Sequence, residues 1–266
     1  CGISAPGPLD PVNGILHKSP NMVWADVPLR NDLADTFGVP VILENDGNAG
    51  ALAEWFFGKA RGCSHFIYFT MSTGIGGGII ANNRLVRGAA GNAGELGHAV
   101  LDVHGPVCGC GMRGCFEAFC SGRNVALQLR RMVENDPDHP LMSMPEVAGD
   151  PENLKFETLR LGVERGIGVA EEFWDELCLR MAQGLGLYLM VFNPELVLLG
   201  TIFYYSGDML MKPVQHYLPR FTWPKMLDSC RFELPGLGHK RIGEMAGVSV
   251  ALYELYQKGE WQPEDA

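Results

Sequence analysis

Glu95–Glu117 reads ELGHAVLDVHGPVCGCGMRGCFE, and the chemistry of this stretch governs how the rest of the chain is understood. His98, Cys108, Cys110 and Cys115 place one imidazole and three thiols within it. Soft thiolates plus an imidazole are the ligand set of a closed tetrahedral zinc site. The pattern is poor core filler, because Gly109, Gly111 and Gly114 give the backbone the freedom that ligands converging on one ion require. His104 lies closer to the thiols in sequence and competes with His98 for the fourth position. Glu95 and Glu117 bracket the cluster. Each taken alone is an ordinary solvated carboxylate, but a metal between them would hold both to one cavity wall.

Upstream, the apolar run VPVILE at Val39–Glu44 is bounded by turns and reads as a buried strand. It ends in Glu44-Asn45-Asp46. Ligands of open α/β sheets gather outside the carboxyl ends of strands, so Asp46 is a candidate general base and Asn45 a donor and acceptor for a hydroxyl. The competing role is capping, by Asp46 or Asn48, of a helix running through Phe57 and stopped by Gly58. A second strand, Ser64–Ser72, leads into TGIGGG at Thr73–Gly78, expected to be a tight turn whose N–H groups cradle phosphate oxygens. No Gly-Lys-Ser/Thr follows, so it is not a P-loop, and a strand follows where a dinucleotide fingerprint would open a helix.

The chain has 266 residues, 47% hydrophobic and 20% charged, with a net charge of −10. That balance argues against a non-specific grip on nucleic acid, which needs clustered cations. Eight cysteines are present. Cys1, Cys63, Cys120, Cys178 and Cys230 are scattered in apolar stretches, which indicates a reducing cytoplasm rather than a disulfide framework. The best membrane candidate, Gly184–Gly200, is broken by Asn193-Pro194-Glu195, and no signal peptide is visible. The sequence begins at Cys1 in what reads as the middle of a strand running into a Pro-Gly turn. A missing N-terminal segment is expected there, in preference to a lipid-modified cysteine.

Elsewhere the pattern alternates strand and helix, the signature of an α/β chain. Residues 1–38 read as strand-edge and loop with short helices, including a turn or two at Asn31–Phe37. A hairpin crosses Asn82-Asn83, and Ala99–Val103 reads as a short strand. A helix starts near Cys115, and Ser121 caps another running to Met132. Residues 134–153 read as a polar surface loop. Helices are expected at Phe156–Glu164, Ala170–Phe192, Asp208–Tyr217 and Ile242–Tyr256, and strands at Glu195–Leu199 and Arg231–Leu234.

Four pieces, ENDGNAGALAEWFFGKARG, TMSTGIGGGII, RGAAGNAGELGH and CGCGMRGCFEAFCSG, resemble the ROK family of sugar kinases and repressors, and within it the bacterial glucokinases. The resemblance covers essentially the whole chain. It implies an α/β, actin-like ATPase (ribonuclease H-like) two-domain sugar kinase fold, with hexose and ATP meeting between the domains. Residues 1–48 would be the remainder of a small α/β domain, 49–241 a large α/β domain with the zinc site, and 242–266 a C-terminal helix returning to the small domain. Asp46 matches the catalytic base, and Asn45, Glu95, His98 and Glu117 match positions that bind sugar hydroxyls. His98 would serve zinc with one ring nitrogen and the sugar with the other, which favours it over His104. Thr73, Gly74 and Gly76 match the second phosphate loop, with Gly200 near the adenosine. The cofactors implied are structural Zn2+, held by His98, Cys108, Cys110 and Cys115, and Mg2+ travelling with ATP. A homodimer or homotetramer is implied, with neither nucleic acid nor membrane as partner.

Two departures stand out. The Asp-x-Gly-Gly-Thr phosphate loop with which members begin does not occur here, so an N-terminally truncated chain with an incomplete metal–ATP site is expected. Thr201 stands after Gly200 where members usually carry glycine, and is expected to narrow the nucleotide pocket. The alternatives are a kinase for another sugar (N-acetylmannosamine, N-acetylglucosamine, fructose, allose), a sugar-responsive repressor with an upstream helix-turn-helix, and a zinc-stabilised binding module without chemistry.

Overall fold

A computed structural model describes residues 1–18 and 24–263. The loop expected across Ser19–Val23 and the last three residues of the C-terminal segment lie outside the described residues. Three strands open the chain: β1 (Gly2–Ala5), β2 (Leu9–Asp10) and β3 (Ile15–Leu16). Helix α1 (Leu29–Phe37) and strand β4 (Ile42–Asn45) follow. β1 pairs in parallel with β4, and β2 with β3 antiparallel. Helix α2 (Asp46–Phe57) leaves β4 directly.

The second sheet has five strands, β5 (Phe66–Met71), β6 (Ile75–Ala81), β7 (Arg84–Leu85), β8 (Leu196–Leu199) and β9 (Arg231–Glu233), in the order β7-β6-β5-β8-β9. β5, β6 and β7 form an antiparallel meander; β8 and β9 add in parallel on the other edge of β5. Asn82 and Asn83 turn the expected hairpin, both at positive φ.

The strands are covered on both faces, and their alternation shows it. Phe66, Tyr68, Leu196 and Leu198 pack with α2 and with α10 (Gly238–Lys258). Ile67, Phe69, Met71, Val197 and Leu199 point the other way. On that side lie α3 (Phe116–Cys120), α4 (Gly122–Val133), α5 (Phe156–Glu164), α6 (Gly168–Phe192), α7 (Ile202–Ser206) and α8 (Asp208–Tyr217), with short α9 (Pro224–Asp228) nearby. α10 also lies along β1 and β4, so it bridges the two sheets. This is the expected actin-like α/β architecture. No helix among the described residues is long and apolar enough to cross a membrane.

Several elements differ from expectation for physical reasons. Ala99–Val103 is not a strand; only an isolated bridge, Val100 to Cys115, forms there, because the backbone is committed to the cysteine loop. Residues 134–153 are not simply a surface loop: Leu141 and Val147, with Leu154 just beyond, are fully buried against α4 and α5, and short 3-10 turns replace the coil. The cap of α2 is Asn45, whose Oδ1 accepts from the Gly47 N–H at 2.8 Å, rather than Asp46 or Asn48. TGIGGG is a turn only at its start, since Ile75–Gly78 already belong to β6 and pair with β5. α7 was not anticipated.

Candidate functional site

The site grows from the junction of β4, α2 and β6. A Cβ on Gly47 would meet the Gly77 carbonyl oxygen at 2.5 Å, and one on Gly78 would meet the Asn48 Cα at 2.9 Å. These glycines let the first turn of α2 press onto β6, which explains the glycine run better than a turn does. That contact fixes where Asp46 stands. Its Oδ1 accepts from the Gly47 N–H at 2.8 Å. The carboxyl tip reaches solvent, yet protein on its flanks strips part of its water, and this desolvation pushes its pKa above the ordinary aspartate value of 3.8 against the lowering effect of the Gly47 N–H.

Asn45 spends its Oδ1 on the cap and keeps its amide nitrogen toward the cleft. A Cβ placed on Gly7 would lie 3.4 Å from Asn45 Nδ2 and 3.5 Å from Glu95 Oε1, so the two polar groups face one spot. Glu95 begins the 3-10 turn Leu96–His98, anchored by the Tyr188 hydroxyl, which donates to the Leu96 carbonyl. Partial burial raises the Glu95 pKa; the nearby charges of Asp46 and Glu117 add to the rise, and His98 opposes it.

His98 faces two ways. Its Nδ1 lies 3.7 Å from Cys108 Sγ, and its Nε2 lies 4.0 Å from Glu95 Oε2. Cys110 and Cys115 sulfurs are 3.7 Å apart, far beyond a disulfide bond of about 2.05 Å. A tetrahedral ion bonded to sulfur at about 2.3 Å would set two sulfurs ~3.8 Å apart, so the spacing fits. The four ligand atoms of His98, Cys108, Cys110 and Cys115 all lie within 4.8 Å of one another. His104 is not among them; its backbone N–H bonds to Asp102 Oδ1 instead. Without an ion, burial pushes the Cys115 thiol up to about 12 and raises that of Cys108, so only a positive charge among them would keep all three as thiolates.

Glu117 joins this cluster to the turn before β6. Its Oε2 accepts from the Ile75 N–H at 2.8 Å, and its Oε1 lies 3.8 Å from Cys108 Sγ. Thr73 is exposed at the tip of that turn, and Gly74 beside it is half-buried against Glu117. Gly76 lies inside β6 opposite Thr70. Beyond Thr73 opens a cleft of about 590 Å3, lined by Ser72, Arg123, Arg130, Lys155, Phe156 and Ile202 among others. Neither α7, which forms part of its wall, nor the cations of α4 and residue 155 stood out in the sequence, because no local motif marks them. Gly200 continues β8 with its N–H on the Phe69 carbonyl at 2.9 Å, and Thr201 follows at φ 46, ψ −88, a backbone conformation costly for a β-branched residue. The structure thus turns Asn45 Nδ2 and Glu95 to one spot, brings Asp46 and Glu117 within electrostatic reach of Glu95, sets His98 beside Glu95 and Glu117 beside both Cys108 and the turn of Thr73 and Gly74, and puts Gly200 at the end of β8, two residues before Ile202 of the cleft wall.

Residues 1–244 match the ROK family. A glucokinase of Thermotoga maritima is 36% identical over 227 residues, covering 85% of this chain and 71% of that protein. A xylose repressor of Caldicellulosiruptor bescii is 30% identical over 241 residues, covering 91% of this chain and 59% of the repressor. Among solved structures, a ROK hexokinase from Thermus thermophilus superposes with a TM-score of 0.81 at 30% identity, over 95% of this chain and 78% of that one. A ROK family glucokinase from Streptomyces griseus, in complex with glucose and AMPPNP, gives 0.76 at 29% identity, over 95% and 80%.

Proposed function

The chain belongs to the ROK family, and from that premise we propose that it is the body of an ATP-dependent hexose kinase, with glucose as the first candidate substrate. What supports this reading is the grouping of three carboxylates, with Asp46 and Glu117 near enough to act on the charge of Glu95, beside a glycine turn and a cleft of about 590 Å3. Phosphoryl transfer asks the protein mainly for positioning and charge neutralisation. Asp46 accepts the proton of the sugar hydroxyl as its oxygen attacks the terminal phosphate, and its raised pKa makes it a stronger base than a free aspartate. Asn45 Nδ2, Glu95, Glu117 and the His98 Nε2 edge hold the sugar hydroxyls. Thr73 and Gly74 meet the phosphates, and the apolar faces of Phe156 and Ile202 receive the nucleoside, with Gly200 and Thr201 behind.

The ligand set of His98, Cys108, Cys110 and Cys115 suits Zn2+, which would supply rigidity to the sugar-reading wall. Magnesium would arrive with ATP. Residues 1–48 and the helix after residue 241 form one lobe in this reading, residues 49–241 the other, and a dimer or tetramer is the assembly. The likeness to xylose repressors supports a second reading, a sugar-sensing regulator that keeps the pocket and dispenses with chemistry. A coupled phosphorylation assay of the full-length protein, over a hexose panel with ATP and polyphosphate as donors, separates the two. Turnover of at least one hexose is expected; tight sugar binding without turnover of any would favour the regulator.

A further inference from the structure

Glu44 stands immediately before Asn45 and Asp46, yet its side chain is 1% exposed. A carboxylate so buried needs a charge partner and filled hydrogen bonds. One oxygen accepts from Asn48 Nδ2 at 2.9 Å and from the Asn45 N–H at 3.1 Å. The other accepts from Arg87 Nε at 2.8 Å. The Arg87 guanidinium lies over the Tyr253 ring of α10, 4.9 Å from its centroid, in cation–π contact. Tyr253 is buried, and its hydroxyl accepts from the Leu85 N–H of β7 at 2.8 Å. The Arg87 carbonyl in turn accepts from the Ala93 N–H at 2.9 Å, closing the segment that ends in Gly94-Glu95. A single residue therefore joins β4 and α10 through its side chain and the approach to Glu95 through its backbone carbonyl.

The geometry points to Arg87 as a positioning residue for phosphoryl transfer. By pinning Glu44 it sets the Asn45 backbone, hence the elbow from β4 into α2 on which Asp46 stands, and it ties that elbow to the strand of chain bearing Glu95. The Arg87 side chain is half-buried, with Nε on Glu44 and its guanidinium over Tyr253. This rests on the reading of Asp46 as the base. A lysine would keep the charge but lose the planar stack on Tyr253 together with the directed Nε bond.

The test uses the full-length enzyme, glucose and MgATP, with Arg87→Ala, Arg87→Lys, the double variant Glu44→Gln/Arg87→Ala, and Asp46→Asn as control, each assayed well below its own melting temperature. Arg87→Ala should lower kcat roughly 10- to 100-fold while sugar KM rises less than about fivefold, because His98 and Glu117 stand on other elements and the segment leading to Glu95 keeps its bond from the Ala93 N–H to the backbone carbonyl of residue 87. Arg87→Lys should fall between Arg87→Ala and the parent. If Arg87→Ala fails to fold because Glu44 is left as an unpaired buried charge, the double variant removes that charge and should fold with the same loss of kcat. A kcat within about threefold of the parent in whichever variant folds, or a loss lying wholly in KM, overturns the inference. If that happens while Asp46→Asn is inactive, only the positioning role falls; turnover surviving in Asp46→Asn removes the base reading beneath it.

Discussion

Gly47→Ala sets two local rules against each other. Gly47 lies in the first turn of α2, where alanine is the better helix former by up to about 1 kcal/mol. Yet a Cβ there would sit 2.5 Å from the Gly77 carbonyl oxygen and 2.7 Å from its nitrogen, both backbone atoms of a paired strand. Ordinary contact begins near 3.4 Å, so the start of α2 must retreat by roughly 0.9 Å and carry Asp46 with it. A misplacement of about 1 Å at a reacting group costs ~100-fold in rate. Overpacking costs about 1–3 kcal/mol, partly offset by helix propensity, which leaves a net loss near 1 kcal/mol and a fall in Tm of about 2–4 °C. The assay is coupled glucose phosphorylation beside a thermal melt followed by circular dichroism. The expected result is a folded protein with kcat down ~100-fold. A kcat within about threefold of the parent would refute the claim that the approach of α2 to β6 places the base.

Thr201→Gly relieves a strained backbone at φ 46 and should raise Tm by about 2–4 °C in a thermal melt, the relief exceeding the entropy that glycine adds to the unfolded chain; a lower Tm contradicts this. Asp46→Asn should melt higher than the parent at neutral pH. With its folded pKa raised above 3.8, Asp46 favours the fold when protonated and loses that contribution as pH rises through the folded value, so the gap should shrink toward acid pH; a lower melting temperature at neutral pH sinks the assignment. Glu54→Ala removes a fully buried carboxylate that accepts from the N–H groups of Lys59 at 3.0 Å and of Gly236 and Leu237 at 2.9 Å. Urea denaturation should show a loss of roughly 3–5 kcal/mol; less than about 1 kcal/mol would mean water replaces it freely. Cys110→Ala should lose bound metal by elemental analysis and raise sugar KM about 10- to 100-fold, whereas a metal-free variant with unchanged KM would separate the thiols from the pocket.

What could be read from the residues was whatever has a local signature. Apolar runs marked β5 and β8, and the expected bounds of α5 and α8 coincide with the observed ones. The spacing of Cys108, Cys110 and Cys115 in a glycine-rich loop pointed to a metal site, the family resemblance favoured His98 over His104 as the fourth ligand, and the structure brings the four ligand atoms within 4.8 Å of one another. What escaped was set by distant packing. The glycines at 76–78 look like a turn, but Gly78 is required by the close approach of α2, some thirty positions earlier in the chain, and Gly77 by the Tyr68 carbonyl oxygen and Leu96. Asn45 takes the cap because Asp46 is already in the first helical turn, a difference of one residue that propensity does not resolve. The stretch 134–153 reads as polar because its buried Leu141 and Val147 follow neither period. Arg87 is one arginine among several until Glu44 and Tyr253 are seen to close on it.

The account depends on Asp46 taking a proton from a bound sugar. The direct measurement is single-turnover phosphoryl transfer by the full-length Asp46→Asn variant, saturated with glucose and MgATP, with glucose affinity taken on the same sample by calorimetry. The account predicts near-parental affinity with transfer slowed by about 1,000-fold or more. Transfer within roughly tenfold of the parent at full occupancy would contradict it.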